Sequence, residues 1–233
     1  MRLPLATLGL LTVLLASCAS NPPVENRRGS VASARSVALV TAVGKQVQLE
    51  YIGLTIFNNI VKPADISAWQ FDKKIQDMAR QHLPKGLEMR TVEYAPELEQ
   101  VIYAPVAARG LRADLGEQVL IPYINQLTQR TPVDLVLFIL PGNYPALRIS
   151  NGHMAGSFGF VQAPIRVVLM DARTKQEIFG KASFPQCSGG VTKFDYESAD
   201  TAKTLEQRRA ELESLWMTCI SKKLEEFDSS SGI

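Results

Sequence analysis

The sequence is poor in the residues that build catalytic and metal centres. Its 233 residues include two histidines, His82 and His153, and three cysteines, Cys18, Cys187 and Cys219. No His-x-x-His or Cys-x-x-Cys spacing occurs, so local motifs do not assemble a tetrahedral metal site. No glycine-rich loop joins a strand to a helix in the way that phosphate binding requires. We therefore predict no metal and no cofactor.

Charge and hydropathy indicate a nearly neutral, globular chain. Lysine and arginine number 25 against 23 aspartates and glutamates, and no dense basic cluster indicates a nucleic-acid-binding face. Hydrophobic residues make up 46% and charged residues 21% of the chain, which is typical of a folded domain rather than a disordered one. We predict no nucleic-acid partner.

An apolar leader precedes the first cysteine. Arg2 is the only charge before Cys18, and residues 3–16 are almost wholly apolar but fewer than the ~20 that span a bilayer as a helix. This pattern is typical of a signal peptide, which we assign to residues 1–17. The end of the leader and the cysteine, Leu15-Ala16-Ser17-Cys18, resemble the lipobox of bacterial lipoproteins.

The lipobox resemblance implies cleavage before Cys18, a diacylglyceryl group on its sulfur and a further acyl chain, such as palmitate, on the new amino group. Three acyl chains exceed the two signals that stable anchoring needs, so we expect a permanent membrane anchor. Ala19 stands where an aspartate would resemble an inner-membrane retention signal, which favours the periplasmic face of the outer membrane. The alternative is an ordinary signal peptide with an incidental cysteine.

Composition divides the rest of the chain into three parts. Residues 18–35 are rich in serine, asparagine, proline and small side chains without apolar periodicity, which predicts a lipidated flexible tether. Residues 36–227 are long enough for a single periplasmic domain with a sizeable core. The polar residues 228–233 predict a disordered tail.

Hydrophobic periodicity within the domain predicts strands interspersed with about three helices. Apolar or alternating runs predict strands at residues 36–44, 46–51, 87–94, 132–141, 165–171 and 177–184, the first two as a hairpin or as neighbours and the last two as a hairpin. Residues 158–161 are a further strand candidate. Apolar stripes at helical spacing predict helices near residues 65–83, 114–127 and 201–227. The order favours an α/β (or α+β) fold, with a mixed β-sheet in a two- or three-layer sandwich.

The second half of this pattern has the runs VDLVLF and VVLMDARTKQEIFGKASF, followed by a terminal helix. It resembles a family of periplasmic domains that includes the TolB amino-terminal domain and the curli-secretion lipoproteins, and is similar to lipoprotein activators of penicillin-binding proteins. Its turn, from Asp171 to Lys175, matches an Asp-x-x-Thr-Gly pattern except for the glycine. The resemblance implies an architecture and protein binding, but no site residues.

The two cysteines of the domain allow two interpretations. In an oxidising compartment an even pair usually forms a disulfide, and a bridge between Cys187 and Cys219 would join the last helix to the sheet. The rival interpretation makes Cys187, within Gln-Cys-Ser-Gly-Gly, the nucleophile of a small envelope hydrolase or transferase, with His153 as its base. We favour the disulfide, because the bridge would consume the thiol.

Two segments are candidates for contact with a partner. A glycine-containing loop from residue 142 to 164 follows the central strand, where open α/β sheets tend to bind ligands. Its candidate contact residues are Tyr144, Arg148, His153, Phe158 and Phe160. The apolar segment at residues 51–60 is more often buried core than an exposed sheet edge.

The sequence thus favours a lipid-anchored, non-catalytic accessory or scaffold protein that binds an envelope protein or assembles with copies of itself. The alternatives are the Cys187 hydrolase and a carrier for a lipid or glycan, which would need a deep apolar cavity.

The anchor gives the first testable prediction. Cells expressing the full chain and fed an alkyne fatty acid should label the protein strongly. Cys18→Ser should abolish that label, because it removes the sulfur that starts lipid attachment. Gel fluorescence of equal amounts of protein measures the effect, and Ser17→Ala, which keeps the small residue before the cysteine, is the control. Undiminished labelling of Cys18→Ser would contradict the assignment.

Overall fold

The computed structural model describes residues 24–54, 59–92, 116–141, 147–152, 158–182, 189–192 and 201–231. Its strands are β1 (Ser36–Thr41), β2 (Gln46–Ile52), β3 (Ile60–Asp65), β4 (Glu88–Thr91), β5 (Leu135–Pro141), β6 (Leu147–Gly152), β7 (Phe158–Gln162), β8 (Ile165–Asp171), β9 (Glu177–Ala182) and β10 (Gly189–Thr192). Its α-helices are α1 (Val24–Ser33), α2 (Phe71–Ala79), α3 (Gly116–Arg130), α4 (Thr201–Gln207) and α5 (Arg209–Ser231). Short 3-10 turns, Ser67–Trp69 and Arg80–His82, flank α2.

The strands form two mixed, five-stranded sheets. The first has the order β4-β1-β5-β8-β9, and the second has the order β10-β7-β6-β2-β3. In the first sheet β1 is parallel to β4 and β5, whereas β8 is antiparallel to both of its neighbours. In the second, only β2 and β6 are parallel. The α/β class predicted from the sequence is confirmed, with its strands divided between two sheets.

The second sheet continues the first. Strand β1 leads into β2, β5 is followed by β6, and β7 leads into β8, and the order of the three pairs is the same in both sheets. In both strands of each pair, the residues that face the core are the odd-numbered ones. They are Val37, Leu39, Val47 and Leu49 in β1 and β2, Leu137, Ile139, Leu147 and Ile149 in β5 and β6, and Val161, Ile165, Val167 and Leu169 in β7 and β8. Each strand pair therefore presents one continuous apolar face to the core.

The crossing from β1 to β2, residues 42–45, is held by the first turn of α2. One carboxylate oxygen of Asp72, Oδ1, accepts hydrogen bonds from the backbone N–H groups of Val43 at 2.7 Å and Gly44 at 3.2 Å. A Cβ atom on Gly44 would lie 2.6 Å from Cβ of Phe71 and 3.1 Å from the backbone nitrogen of Asp72. The close approach of chain and helix therefore requires glycine here.

The main core lies between the inner faces of the two sheets and the helices α2 and α5. At its centre the fully buried indole of Trp216 contacts Trp69, with ring centroids 6.2 Å apart, and Phe71 at 6.0 Å. Other buried residues of α5 at helical spacing are Leu212, Cys219, Ile220, Leu224 and Phe227. The predicted last helix thus buries the predicted stripe, although the chain divides it into α4 and α5.

A second core covers the opposite face of the first sheet. Helix α3 places Leu120, Tyr123, Ile124 and Leu127 against the even-numbered residues of β1, β5 and β8. The Tyr123 and Phe138 rings meet edge to face at 5.9 Å. Pro122 lies inside α3, which continues to Arg130. The first sheet is therefore the middle layer of three.

Hydrogen bonds tie the amino-terminal segment to the far end of the first sheet. The Ser30 hydroxyl of α1 bonds Asp171, and the Asp134 carboxylate accepts from the backbone N–H groups of Arg35 and Ser36 at 2.9 and 3.1 Å. Burial alone would raise the pKa of Asp171. Hydrogen bonds from the backbone of the following turn and from Ser30 outweigh it, so that pKa lies below its usual value.

Four local predictions differ from the structure. Strands β1 and β2 lie in different sheets instead of forming a hairpin or neighbouring strands. Part of the predicted tether is helical in α1, and Val31 of α1 and Ala34 just after it contact the main core. Helix α5 continues into the predicted tail as far as Ser231. About three helices were expected, whereas five α-helices are described. The domain boundaries themselves stay predictions.

None of the described helices has the length and apolar character needed to cross a membrane.

The crossing at Gly44 gives a prediction about stability. Gly44→Ala should lower the free energy of unfolding by about 1–3 kcal/mol, because the new Cβ would overlap a Cβ atom that cannot rotate away. Gly29→Ala in α1, where nothing lies within 4 Å of the new Cβ, should instead raise it by about 0.5–1 kcal/mol. Urea unfolding measures both changes. A free energy of unfolding for Gly44→Ala that is no lower than that of the unchanged protein would contradict the close approach.

Candidate functional site

The outer face of the second sheet, which turns away from the main core, is the candidate site. Strand register sets one row of side chains across it, composed of Val61, Glu50, Ser150 and Phe160 from β3, β2, β6 and β7. The adjacent row is composed of Pro63, Gln48, Arg148 and Gln162. Their neighbours on the same strands, such as Leu49, Ile149 and Val161, are buried in the main core. We call these two rows, with Ile52 at the end of β2, the outer face.

Exposed large apolar residues concentrate at this sheet. The exposed fraction is 58% for Val61, 52% for Ile52 and 45% for Phe160, all on the outer face, and 69% for Leu54 just beyond β2. In the part of the chain that the structure describes, these are the large hydrophobic residues that are exposed. Several exposed large apolar side chains on one face of a sheet favour a surface that binds another molecule.

Polar side chains occupy the middle of the outer face. Glu50 accepts a hydrogen bond from the Ser150 hydroxyl at 3.0 Å and another from the amide of Gln48. Arg148 lies 3.6 Å from the same carboxylate, and the side chains of Arg148 and Glu50 are only 22% and 17% exposed. The charges in the centre are thus paired and partly shielded, with apolar residues on either side.

The edge of the sheet beside the outer face is unsuited to adding another strand. The backbone N–H of Ile66 donates to the carbonyl of Lys45 at 3.0 Å, so every second residue of β3 counted back from Ile66 bonds β2. The residues between them direct their backbone N–H and C=O groups away from β2, toward the open edge. These outward positions are Val61, Pro63 and Asp65, and Pro63 has no N–H to offer. Proline and charge at an edge oppose strand addition, so a partner would contact the face rather than the edge.

The structure places three of the predicted contact residues. Arg148 lies in β6, on a strand instead of a loop, and Phe158 and Phe160 lie in β7, where a strand candidate was identified. Arg148 and Phe160 belong to the outer face. Tyr144 and His153 lie outside the described residues.

The sequence analysis did not identify Glu50, Gln48, Ser150 and Val61 as part of the site. Ser150 and Glu50 are 100 residues apart in the chain and meet through the parallel pairing of β6 with β2. The alternation of Gln46, Gln48 and Glu50 with Val47 and Leu49 was the available signal, because it marks a half-exposed strand. Ile52 and Leu54 were expected to be core, which is wrong, and Ile56 and Phe57 are outside the described residues.

The described residues include one of the three cysteines, Cys219, and one of the two histidines, His82. Cys219 is buried on α5 and is disulfide-bonded. Both other cysteines, Cys18 and Cys187, lie outside the described residues, so the lipid site, the Cys187–Cys219 pairing and the Cys187 nucleophile stay predictions. Nδ1 of His82 lies 3.9 Å from a carboxylate oxygen of Asp228 at the end of α5. Among the residues that the structure describes, no three metal-ligating side chains cluster.

No protein-family model and no curated protein matches the chain. Solved structures with some likeness include a lipoprotein, GNA1162 from Neisseria meningitidis, at 11% identity and a TM-score of 0.31, covering 76% of this chain and 97% of that one. The LpoB C-terminal domain from Escherichia coli has 16% identity and a TM-score of 0.24, covering 74% and 94%. The hypothetical protein CT253 from Chlamydia trachomatis has 12% identity and a TM-score of 0.29, covering 81% and 98%. TM-scores this far below 0.5 do not support transfer of fold or function.

The paired charges of the outer face give a prediction. A double-mutant cycle of Arg148→Met and Glu50→Gln should show a coupling of about 1–2 kcal/mol in urea unfolding, between the values typical of exposed and buried pairs. The control is the Arg90–Glu88 pair on β4, which is closer, at 3.2 Å, but has side chains 36% and 66% exposed. Its coupling should be below about 0.5 kcal/mol. Equal couplings for the two pairs would contradict the shielding of Arg148 and Glu50.

Proposed function

We propose that this chain is an outer-membrane lipoprotein whose periplasmic domain acts without catalysis, by binding another envelope protein through the outer face. The observation that carries the proposal is the concentration of exposed apolar residues on one face of the second sheet. Assembly with further copies of the chain is the second form of the same proposal, since one face would serve both.

The position of the outer face supports a partner away from the anchor. Helix α1 joins the domain at the end of the first sheet where β1 begins, and the second sheet continues beyond the other end of β1. The two strands β1 and β2 lie in the segment from Ser36 to Ile52, which spans at most roughly 55 Å at about 3.3 Å per residue. If Cys18 carries a lipid, the outer face therefore lies at the end of the domain that is farther from α1 and from the anchor.

The size of the outer face favours reversible binding. The four strands of the outer face, spaced about 4.8 Å apart and about five residues long, cover roughly 300 Å². A stable interface of standard size takes about 800 Å² from each partner. Contact confined to this face is therefore of the transient kind.

The proposal includes a disulfide between Cys187 and Cys219. Cys219 is already disulfide-bonded, and a lipid on Cys18 would leave Cys187 as the remaining cysteine of the chain. Such a bridge would also remove the thiol that the hydrolase alternative needs.

Photo-crosslinking in cells tests the proposal. The full chain carries benzoylphenylalanine at Val61 or Phe160 on the outer face, or at Arg173 in the turn after β8 as the control. Arg173 is exposed and lies at the opposite end of the first sheet. After irradiation, discrete adducts should form from positions 61 and 160 and not from 173.

Mass spectrometry of the adducts separates the two forms of the proposal. An envelope protein in the adduct supports the accessory function, and recovery of only this chain supports self-assembly. The same adduct pattern from all three positions, or no adduct from positions 61 and 160, would overturn the assignment of the outer face.

A further inference from the structure

Hydrogen bonds gather four strand ends at the end of the first sheet that is remote from the outer face. The backbone N–H of Glu88, where β4 begins, donates to the carbonyl of Arg35, just before β1, at 2.8 Å. The N–H of Arg35 donates to the carboxylate of Asp134, just before β5, at 2.9 Å. The N–H of Ala172, just after β8, donates to the carbonyl of Asp134 at 2.8 Å. These ends therefore lie side by side, in the order that the strands have in the sheet.

Each of the four strand ends carries an exposed cation. Lys85 precedes β4, Arg35 precedes β1, Arg130 ends α3 ahead of β5, and Arg173 follows β8. Because neighbouring strands lie about 4.8 Å apart, the four ends span roughly 15 Å. We call Lys85, Arg35, Arg130 and Arg173 the basic row.

The carboxylates at this end of the sheet are engaged within the protein. Asp171 is 3% exposed and accepts hydrogen bonds from the backbone of the following turn at 2.8 and 3.0 Å. Asp134 is half-buried and accepts from two backbone N–H groups. The more exposed carboxylates have side-chain partners, Glu88 with Arg90 at 3.2 Å and Asp228 with His82 at 3.9 Å.

The basic row keeps an excess of positive charge. The charges of Asp134 and Asp171 attract Arg173 from a distance. Among the residues that the structure describes, however, no carboxylate forms an ion pair with any member of the row. Four exposed cations thus stand against two shielded carboxylates, so this end of the domain attracts anions.

Helix α1 connects this end of the domain to the proposed anchor. The hydroxyl of Ser30 bonds Asp171, so α1 is held beside the basic row. The six residues from Cys18 to Val24 reach at most about 20 Å, and the six helical residues from there to Ser30 add about 9 Å. A lipid on Cys18 would therefore keep the basic row within about 30 Å of the bilayer surface.

We propose that the basic row docks the domain on the anionic phospholipid surface of the membrane that holds its anchor. Cations spread along one end of a sheet match a flat layer of head-group phosphates, whereas a single small anion needs a concave site. The second sheet then points away from the bilayer, and the outer face stays accessible to a partner protein. The docking goes beyond the proposed protein binding, but it rests on the lipid anchor that is part of that proposal.

Photo-crosslinking to lipid tests the docking. The mature lipidated protein is reconstituted into liposomes with benzoylphenylalanine at Gln129, which is exposed beside Arg130, or at Val61 on the outer face. In phosphatidylethanolamine liposomes that contain phosphatidylglycerol, mass spectrometry should find phospholipid adducts from position 129 and none from position 61. These adducts should be lost without phosphatidylglycerol, and also in about 1 M salt, where the Debye length falls to about 3 Å. A lipid adds far less mass than a protein, so these adducts are distinct from those expected at the outer face.

Matched charge variants separate the basic row from general electrostatic attraction. Arg35→Gln with Arg173→Gln should lower the adduct yield from position 129 at least fivefold, because each cation at an anionic surface changes binding by about fivefold. Lys62→Gln with Lys203→Gln removes the same charge from exposed positions of β3 and α4 and should leave the yield unchanged.

Circular dichroism checks that each variant is folded. If Arg35→Gln with Arg173→Gln fails to fold, Lys85→Gln with Arg130→Gln should give the same loss of adducts, since these two residues complete the basic row.

Flotation of the liposomes in about 1 M salt checks the anchor independently of charge. If the protein floats but position 129 gives no lipid adduct, the docking is overturned while the protein-binding proposal stands. Equal yields with and without phosphatidylglycerol, or from a folded variant that lacks two members of the basic row, would overturn it in the same way. Protein that does not float would contradict the lipid anchor, and the docking with it.

Discussion

The two hydrogen bonds from Val43 and Gly44 to Asp72 fix the point at which the chain passes from one sheet to the other. They fasten the crossing to the first turn of α2, and α2 in turn places Phe71 against Trp216 at the centre of the main core. A carboxylate that accepts two backbone N–H groups satisfies donors that have no strand partner at this point. The position of the second sheet relative to the core helices therefore depends on this junction.

The strands of the first sheet continue into the second. The same side of these strands is therefore covered by α3 in the first sheet and exposed in the second. Even-numbered residues of β1 and β5 meet α3, whereas even-numbered residues of β2 and β6 form the outer face. The first set is apolar, including Val40 and Phe138, and the second includes Gln48, Glu50 and Arg148. The change in composition along each strand matches the change from a covered to an exposed environment.

Local sequence patterns predicted the helices and strands better than they predicted which strands pair with each other. The apolar run of β5, the hairpin of β8 and β9, and the stripe of α5 could be predicted because burial on both faces, a turn signal and helical spacing are each visible in a few residues. The hairpin of β1 and β2 was wrong because Gly44 and Lys45 look like a turn, while strand pairing is decided by contacts distant in sequence. The same reason explains why Arg148 was identified as a contact residue and its partner Glu50 was not.

The pairing of Arg148 with Glu50 also determines what the outer face can do. Covering an unpaired carboxylate would cost several kcal/mol in order of magnitude, because the charge would lose its water. Glu50 instead has protein partners in Gln48, Ser150 and Arg148, so a partner protein that covers it leaves no charge unpaired. The apolar residues on either side, Val61 and Phe160, can then be buried at little electrostatic cost. A polar centre whose groups already have partners also makes this face less prone to non-specific association than a uniformly apolar face would be. The arrangement is thus compatible with repeated binding and release.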